Sequence, residues 1–202
     1  MIIHTMQQGS DEWFDVKCGK ISASHIKDIM AKGTGKTRKK YMMKLLYERK
    51  YGIYQHSYSN GDMQWGIEHE EEAREAYEME KLVVTEQVGF VEIDDYLGYS
   101  PDAFVGDDGG LELKCPLSTT HLQYILEPQS LVKDYSWQLQ GTLWMSGRER
   151  WDICSFDPRT YDVPLLIVSV ERDEEKIKQI AVEVELFKDK LKELESKVKG
   201  GM

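Results

Sequence analysis

The spacing of apolar residues changes near residue 80. From about residue 10 to 51 it is helical, with Ser22 placed as an N-cap before ASHIKDIM and a glycine-bearing loop, KGTGKT, separating that helix from YMMKLLYERKYG. A second block, GDMQWGIEHEEEAREAYEME at about 61–80, aligns Trp65, Ala73, Ala76 and Tyr77 as a buried stripe. Beyond it LVVTEQVGFVEI, LGYSPDAFVG, LELKC, WDICSFD and LLIVSVER are short, β-rich and bounded by Gly, Asp and Pro, which predicts strands. SLVKDYSWQLQGTLWMSG, between the third and fourth of these, reads as a helix. The last segment, DEEKIKQIAVEVELFKDKLKELESKVK, sets Ile177, Ile180, Ala181, Val184, Phe187, Leu191 and Leu194 at helical spacing. It predicts an amphipathic helix packed on the body or on a partner subunit. The order helices, three strands, helix, two strands, helix defines an α/β fold, a mixed central sheet flanked by helices.

No internal repeat, proline-rich linker or low-complexity stretch divides the chain, and 202 residues suit one domain with a sizeable core. Its parts are an N-terminal helical region (about 1–80), a sheet core (about 81–171) and a C-terminal helix (about 173–199). With 41% apolar and 31% charged residues the composition is that of a soluble globular protein. No run approaches the roughly 18–20 apolar residues of a membrane span, so no membrane partner is expected. MIIHTMQQGSDEW lacks a secretory pattern, and Cys18, Cys115 and Cys154 are odd in number without CxxC spacing, which points to reduced structural thiols in a cytosol.

Charge changes this picture. A net −10 argues against a nucleic-acid partner, yet Lys32 to Lys50 holds eight basic residues (Lys32, Lys36, Arg38, Lys39, Lys40, Lys44, Arg49, Lys50) against one acid, Glu48. That run carries +7 and leaves −17 on the other 183 residues. It is either a solvated helix face or a strip that tracks phosphates. GTGKT at Gly33–Thr37 is not a nucleotide loop: the glycine required five residues before Gly35 is Met30, and a helix, not a strand, precedes it. His4, His25, His56, His69 and His121 have no metal-ligand spacing.

The candidate chemistry lies in SPDAFVGDDGGLELKCP, residues 100–116. Alternation puts Glu112 and Lys114 on one strand face and Leu111, Leu113 and Cys115 on the other. Asp102 stands ten residues before Glu112, across a turn made by GDDGG. Two carboxylates and an amine suit a hard divalent cation and an activated water. Asp102 and Glu112 supply oxygen ligands, the Leu113 carbonyl a third, and Lys114 orients the water or offsets phosphate charge. A salt-bridged pair on a solvent-facing strand is the alternative for ELK alone.

Pro101-Asp102 followed by Glu112-Leu113-Lys114 resembles the PD-(D/E)xK nuclease motif. QGSDEWFDVKCGKISAS, WGIEHEEEAR, the WQLQGTLW helix, and DPR followed by VERDE are similar, in order, to blocks of the lambda exonuclease (YqaJ-like viral recombinase) branch. The resemblance implies a restriction-endonuclease-like core in which Glu70, with Glu68 as fallback, joins Asp102 and Glu112 around two Mg²⁺ ions, Mn²⁺ being a substitute. Lys114 matches the catalytic lysine and Leu113 the carbonyl ligand. Ser24, Ser100 and Gln138 match residues that engage a 5′-phosphate, Gln138 being equally readable as a helix-surface amide. Lys17 stands where the family has an arginine, which keeps the charge and loses the planar fork. Arg38 belongs to the basic run proposed to meet DNA, and Tyr41 or Met42 is either a base wedge or core.

The activity implied is metal-dependent 5′–3′ digestion of one strand of duplex DNA to 5′-mononucleotides, leaving a 3′ overhang for strand-annealing recombination. A homotrimeric ring, a single-strand annealing protein and a bacterial or phage-infected cytosol go with it. The alternatives are a structure-specific or endonucleolytic DNase on the same core, and a noncatalytic DNA-binding partner of an annealing protein.

Overall fold

Two sheets carry the strand residues where the sequence suggested one. The computed structural model describes residues 1–31, 35–56 and 61–199. Its first half comprises β1 (Ile2–His4), α1 (Asp11–Lys17), β2 (Ile21–Ser22), a 3-10 turn (Ala23–His25), α2 (Ile26–Met30), α3 (Lys36–Tyr51) and α4 (Gly61–Lys81). There follow β3 (Thr85–Glu86), β4 (Phe90–Glu92), β5 (Leu97–Tyr99), β6 (Ala103–Val105) and β7 (Gly109–Lys114). The chain ends with α5 (Ser118–Leu126), α6 (Pro128–Ser146), β8 (Arg150–Phe156), β9 (Leu165–Glu171) and α7 (Glu174–Lys199).

The N-terminal region is not purely helical. Ser10 caps α1 by accepting a hydrogen bond from Trp13 N at 3.2 Å, and the helix stops before Gly19, whose φ of +71° turns the chain into β2. A Cβ at Gly19 would collide with Arg49 Cγ, so the close approach of α3 also requires glycine. Ser22, expected as a helix cap, ends β2 and takes the N-cap position of the 3-10 turn without a side-chain cap hydrogen bond, and its N–H donates to the Tyr41 hydroxyl at 3.2 Å. β1 and β2 are two or three residues long, and their partners, β4 and β5, lie far along the chain in a sheet ordered β1-β4-β5-β2. Such pairing leaves no local periodicity to read.

The second sheet, ordered β3-β6-β7-β8-β9, positions the chemistry. β7 and β8 run parallel, and the crossover between them consists of two helices, α5 and α6, where the sequence suggested one. On one sheet face Leu111, Leu113, Cys154 and Phe156 pack against Ala73 and Tyr77 of α4. On the other, Trp151 and Ile153 join Leu139 and Leu143 of α6 and Ile180, Val184 and Phe187 of α7. α7 therefore packs on the body of its own chain, each buried Leu, Ile or Phe contributing about 1.5–3 kcal/mol. Gly110 is needed where it is, since a Cβ there would enter the Trp151 ring. Tyr41 and Met42 are core, 5% and 7% exposed, with Tyr41 stacked between His25 and Phe187. No helix among the described residues is long and apolar enough to cross a membrane.

Candidate active site

The ten-residue spacing between the two acids follows from hairpin register. β6 and β7 pair antiparallel with Ala103 opposite Leu111 and Val105 opposite Gly109, so Asp102, the bend residue just before β6, stands beside the Glu112 end of β7. Asp102 Oδ2 accepts from Leu113 N at 2.5 Å, which locks the acid against the strand.

Glu112 is 3% exposed, so its face of β7 is covered, not solvated. Its Oε1 receives both the Lys114 ammonium and the Gln138 Nε2 of α6, the latter at 2.6 Å. Gln138 thus stands at the acid and is not a helix-surface amide. Lys114 lies 5.0 Å from the centroid of the Tyr135 ring. Tyr135, three residues before Gln138 on α6, was missed from sequence; the i, i+3 relation to Gln138 was the signal that could have found it.

Electrostatics bring Glu70 into the group. Burial and then the Glu112 and Glu70 charges push Asp102 well above the ordinary carboxylate range, against the pull of Lys114. Glu70 is raised by burial and by Glu112, again opposed by Lys114. Burial alone would lower Lys114, but Glu112 and Asp102 outweigh it and hold the ammonium protonated. Cys115 is pushed up to about 12 by burial and by the Glu70 and Asp102 charges, so its thiol stays neutral.

Three carboxyl groups around one ammonium leave an excess of negative charge that a hard cation would relieve, and every donor on offer, the Leu113 carbonyl included, is oxygen. The donor set fits Mg²⁺. In the present arrangement no three His, Cys, Asp or Glu side chains among the described residues stand close enough to hold an ion, and Glu112 is turned to Lys114 and Gln138.

A second group gathers around Trp13. The Lys17 ammonium lies 3.9 Å over its ring, and the indole Nε1 donates to Ser100 Oγ at 3.0 Å. Burial, then the Lys44 charge, pushes Lys17 down to about 8 despite Glu48. Ser24 is exposed, with its hydroxyl 3.1 Å from that of Ser22. Gln138 makes its contact with Glu112 and not with this group.

Arg38 joins neither group. Its guanidinium donates to Ile29 O at 2.7 Å and to Glu183 Oε2 at 2.6 Å, which ties α3 to α2 and α7. Arg49 is similarly engaged by Asp95, Glu195 and the Tyr96 ring. Lys36, Lys39, Lys40 and Lys50 remain exposed, while Lys32 lies outside the described residues, as do Gly33 and Thr34 of the glycine loop. The basic run is thus part scaffold and part solvated surface. Glu68, the fallback acid, accepts from Gln64 on the exposed side of α4.

Fold and donor set define a mixed α/β protein with an acidic site beside a strand ammonium. The same architecture is found in an alkaline exonuclease, LHK-Exo, from Laribacter hongkongensis, 33% identical with a TM-score of 0.86 over 94% of this chain and 96% of that one. The structure of LHK-Exo in complex with dAMP matches equally well, with 33% identity and a TM-score of 0.86. A phage-related exonuclease from Haemophilus somnus 129PT shares the fold at 17% identity, with a TM-score of 0.70 over 92% of this chain and 99% of that one. The sequence pattern of the YqaJ-like viral recombinase domain matches residues 12–149, and the chain belongs to that family. No curated protein matches it significantly.

Proposed function

We propose that the chain is a metal-dependent exodeoxyribonuclease that digests one strand of duplex DNA from its 5′ end to mononucleotides and leaves a 3′ single strand for annealing recombination. The observation that carries the reading is the joint placement of Asp102, Glu112, Lys114 and Gln138, with Glu70 in their field. Family membership and the likeness to an alkaline exonuclease support the nuclease class, and the dAMP bound by that relative is a deoxynucleoside monophosphate, the product class expected.

Asp102, Glu112, Glu70 and the Leu113 carbonyl are the ligands proposed for two Mg²⁺ ions, with Mn²⁺ as substitute; a cation bound there would lower the pKa of a water and neutralise charge on the scissile phosphate. Lys114, hydrogen-bonded to Glu112, would orient or help deprotonate the attacking water and offset charge building on the phosphate. Gln138 fixes the rotamer of Glu112. Lys17, Ser100 and Ser24 take the 5′-phosphate, and exposed Lys36, Lys39 and Lys40 follow the DNA backbone. A homotrimeric ring, an annealing protein on the exposed strand and a cytosolic setting complete the proposal, on the strength of the family.

The test is purified protein with Mg²⁺ on end-labelled linear duplexes, with and without a 5′-phosphate, beside a closed circle. Loss of the 5′-phosphorylated strand with an intact circle is expected. Attack on the 3′ terminus first would overturn the polarity, and a nicked circle would favour the endonuclease. An absence of nucleotide release would favour the noncatalytic partner.

A further inference from the structure

Asp157, a fully buried carboxylate, directly follows β8, and two residues later the loop presents Arg159. Asp157 accepts from Arg159 Nε at 2.8 Å, from Arg159 Nη2 at 3.0 Å and from the Arg159 backbone N at 3.0 Å. Burial alone would raise this acid, but hydrogen bonds from Arg159 and Ser118 outweigh it and hold the carboxyl far below its usual range.

One face of the same guanidinium lies 3.9 Å over the Trp65 ring. That ring is stacked on His69, centroids 3.6 Å apart, and His69 Nδ1 is 3.0 Å from Trp65 O. Arg159 is thus clamped along one edge by a buried acid and across one face by an aromatic column on α4. Its side chain is nevertheless 46% exposed. Of the five guanidinium N–H groups, Asp157 takes two, which leaves both on Nη1 and one on Nη2 along the outer edge. Among the described residues no acceptor meets Nη1.

A planar fork already held in one orientation, with a free edge of parallel donors, matches the oxygens of a phosphodiester. Because its rotamer is fixed beforehand, little further side-chain entropy is lost on binding. Lys114 pairs with Ser155 in the parallel β7–β8 ladder, and Asp157 follows two residues later, so the clamp stands at the same end of the sheet as the acidic site.

We propose that Arg159, oriented by Asp157 and Trp65, is a phosphate-binding residue that grips the substrate backbone beside the acidic site. The inference rests on the nuclease reading and goes beyond it by adding a contact on the β8–β9 loop.

Binding, not turnover, tests it. A fluorescent 5′-phosphorylated duplex is titrated with Asp102→Asn protein without divalent metal across a series of KCl concentrations, with melting midpoints measured in parallel. Arg159→Gln should weaken binding about tenfold and reduce the slope of log K against log[KCl] by about 0.9, one phosphate contact. Arg159→Lys should keep the slope and lose about threefold, because charge remains while the fork is gone. If Arg159→Gln does not fold, Arg159→Lys decides: unchanged affinity overturns the proposal. Wild-type affinity and slope in both folded variants overturn it as well. No duplex binding by the parent protein would instead bring down the nuclease reading.

Discussion

Lys17→Met isolates the consequence of burying a cation at the Trp13 group. In the folded protein Lys17 is pushed down from 10.5 to about 8, by burial first and Lys44 second, and no carboxylate among the described residues pairs with it. Below pH 8 both folded and unfolded chains carry the ammonium, and the folded state bears the whole cost of burying it. Between pH 8 and 10.5 the unfolded chain binds more protons, so stability rises with pH and the cost disappears. At about 1.36 kcal/mol per pH unit, the interval from 8 to 10.5 amounts to about 3 kcal/mol. The cation–π contact with Trp13 returns ~0.5–2 kcal/mol, so methionine should stabilise the protein at pH 7 by about 1–3 kcal/mol. At about 2–4 °C per kcal/mol, melting curves resolve this easily, and the difference between the two proteins should shrink as pH rises from 8 toward 10.5. The same substitution should abolish any preference for a 5′-phosphorylated end, a loss of about tenfold or more in relative kcat/KM, as expected for a charge-assisted hydrogen bond. In the unsubstituted protein that preference should fade at high pH, with a midpoint above 8 because bound phosphate favours the ammonium. A Lys17→Met protein no more stable than its parent at pH 7, or one with its end preference intact, would refute the argument.

Other substitutions probe the acid site and its supports. Asp102→Asn should reduce nuclease activity on the order of 10³-fold, while the metal-free protein becomes more stable at pH 7 because like-charge crowding is relieved; Mg²⁺-dependent nucleotide release and denaturant titration read the two effects. Gln138→Ala removes the amide from Glu112 and should cost about 10- to 100-fold in kcat with little change in KM, measured by steady-state kinetics. Tyr77→Phe takes the 2.8 Å hydroxyl bond from buried Asp152, leaving Ser169 and Lys81, and should destabilise by about 1–2 kcal/mol in urea melts. Phe187→Ala opens the core beneath α7 and should cost about 3–5 kcal/mol in the same assay.

Legibility in the sequence tracked the range of the interaction responsible. α4, α6 and α7 were visible because an amphipathic period is written within a few turns, and the α7 stripe from Ile177 to Leu191 is the buried face. β1 and β2 were not, because strands of two or three residues exist only through partners some seventy or more residues away. The same holds for charge. Arg38 and Lys39 are neighbours in one basic run, yet the first ties α3 to α7 and the second is solvated. Nothing local in the DPR block tied Arg159 to Trp65, ninety-four positions earlier, whose ring lies under it.

The amino-acid order alone determined Glu112 and its lysine, since strand alternation must put Lys114 on the same face, and it set Asp102 ten residues earlier across a turn. Only the tertiary structure decided that this face is buried, that Gln138 comes down upon Glu112, and that Glu70 adds its charge to the cluster. The physical reason is that register and alternation are geometric properties of a continuous backbone. Desolvation and the convergence of charge depend on which helices pack across the sheet, a choice made by the whole core at once.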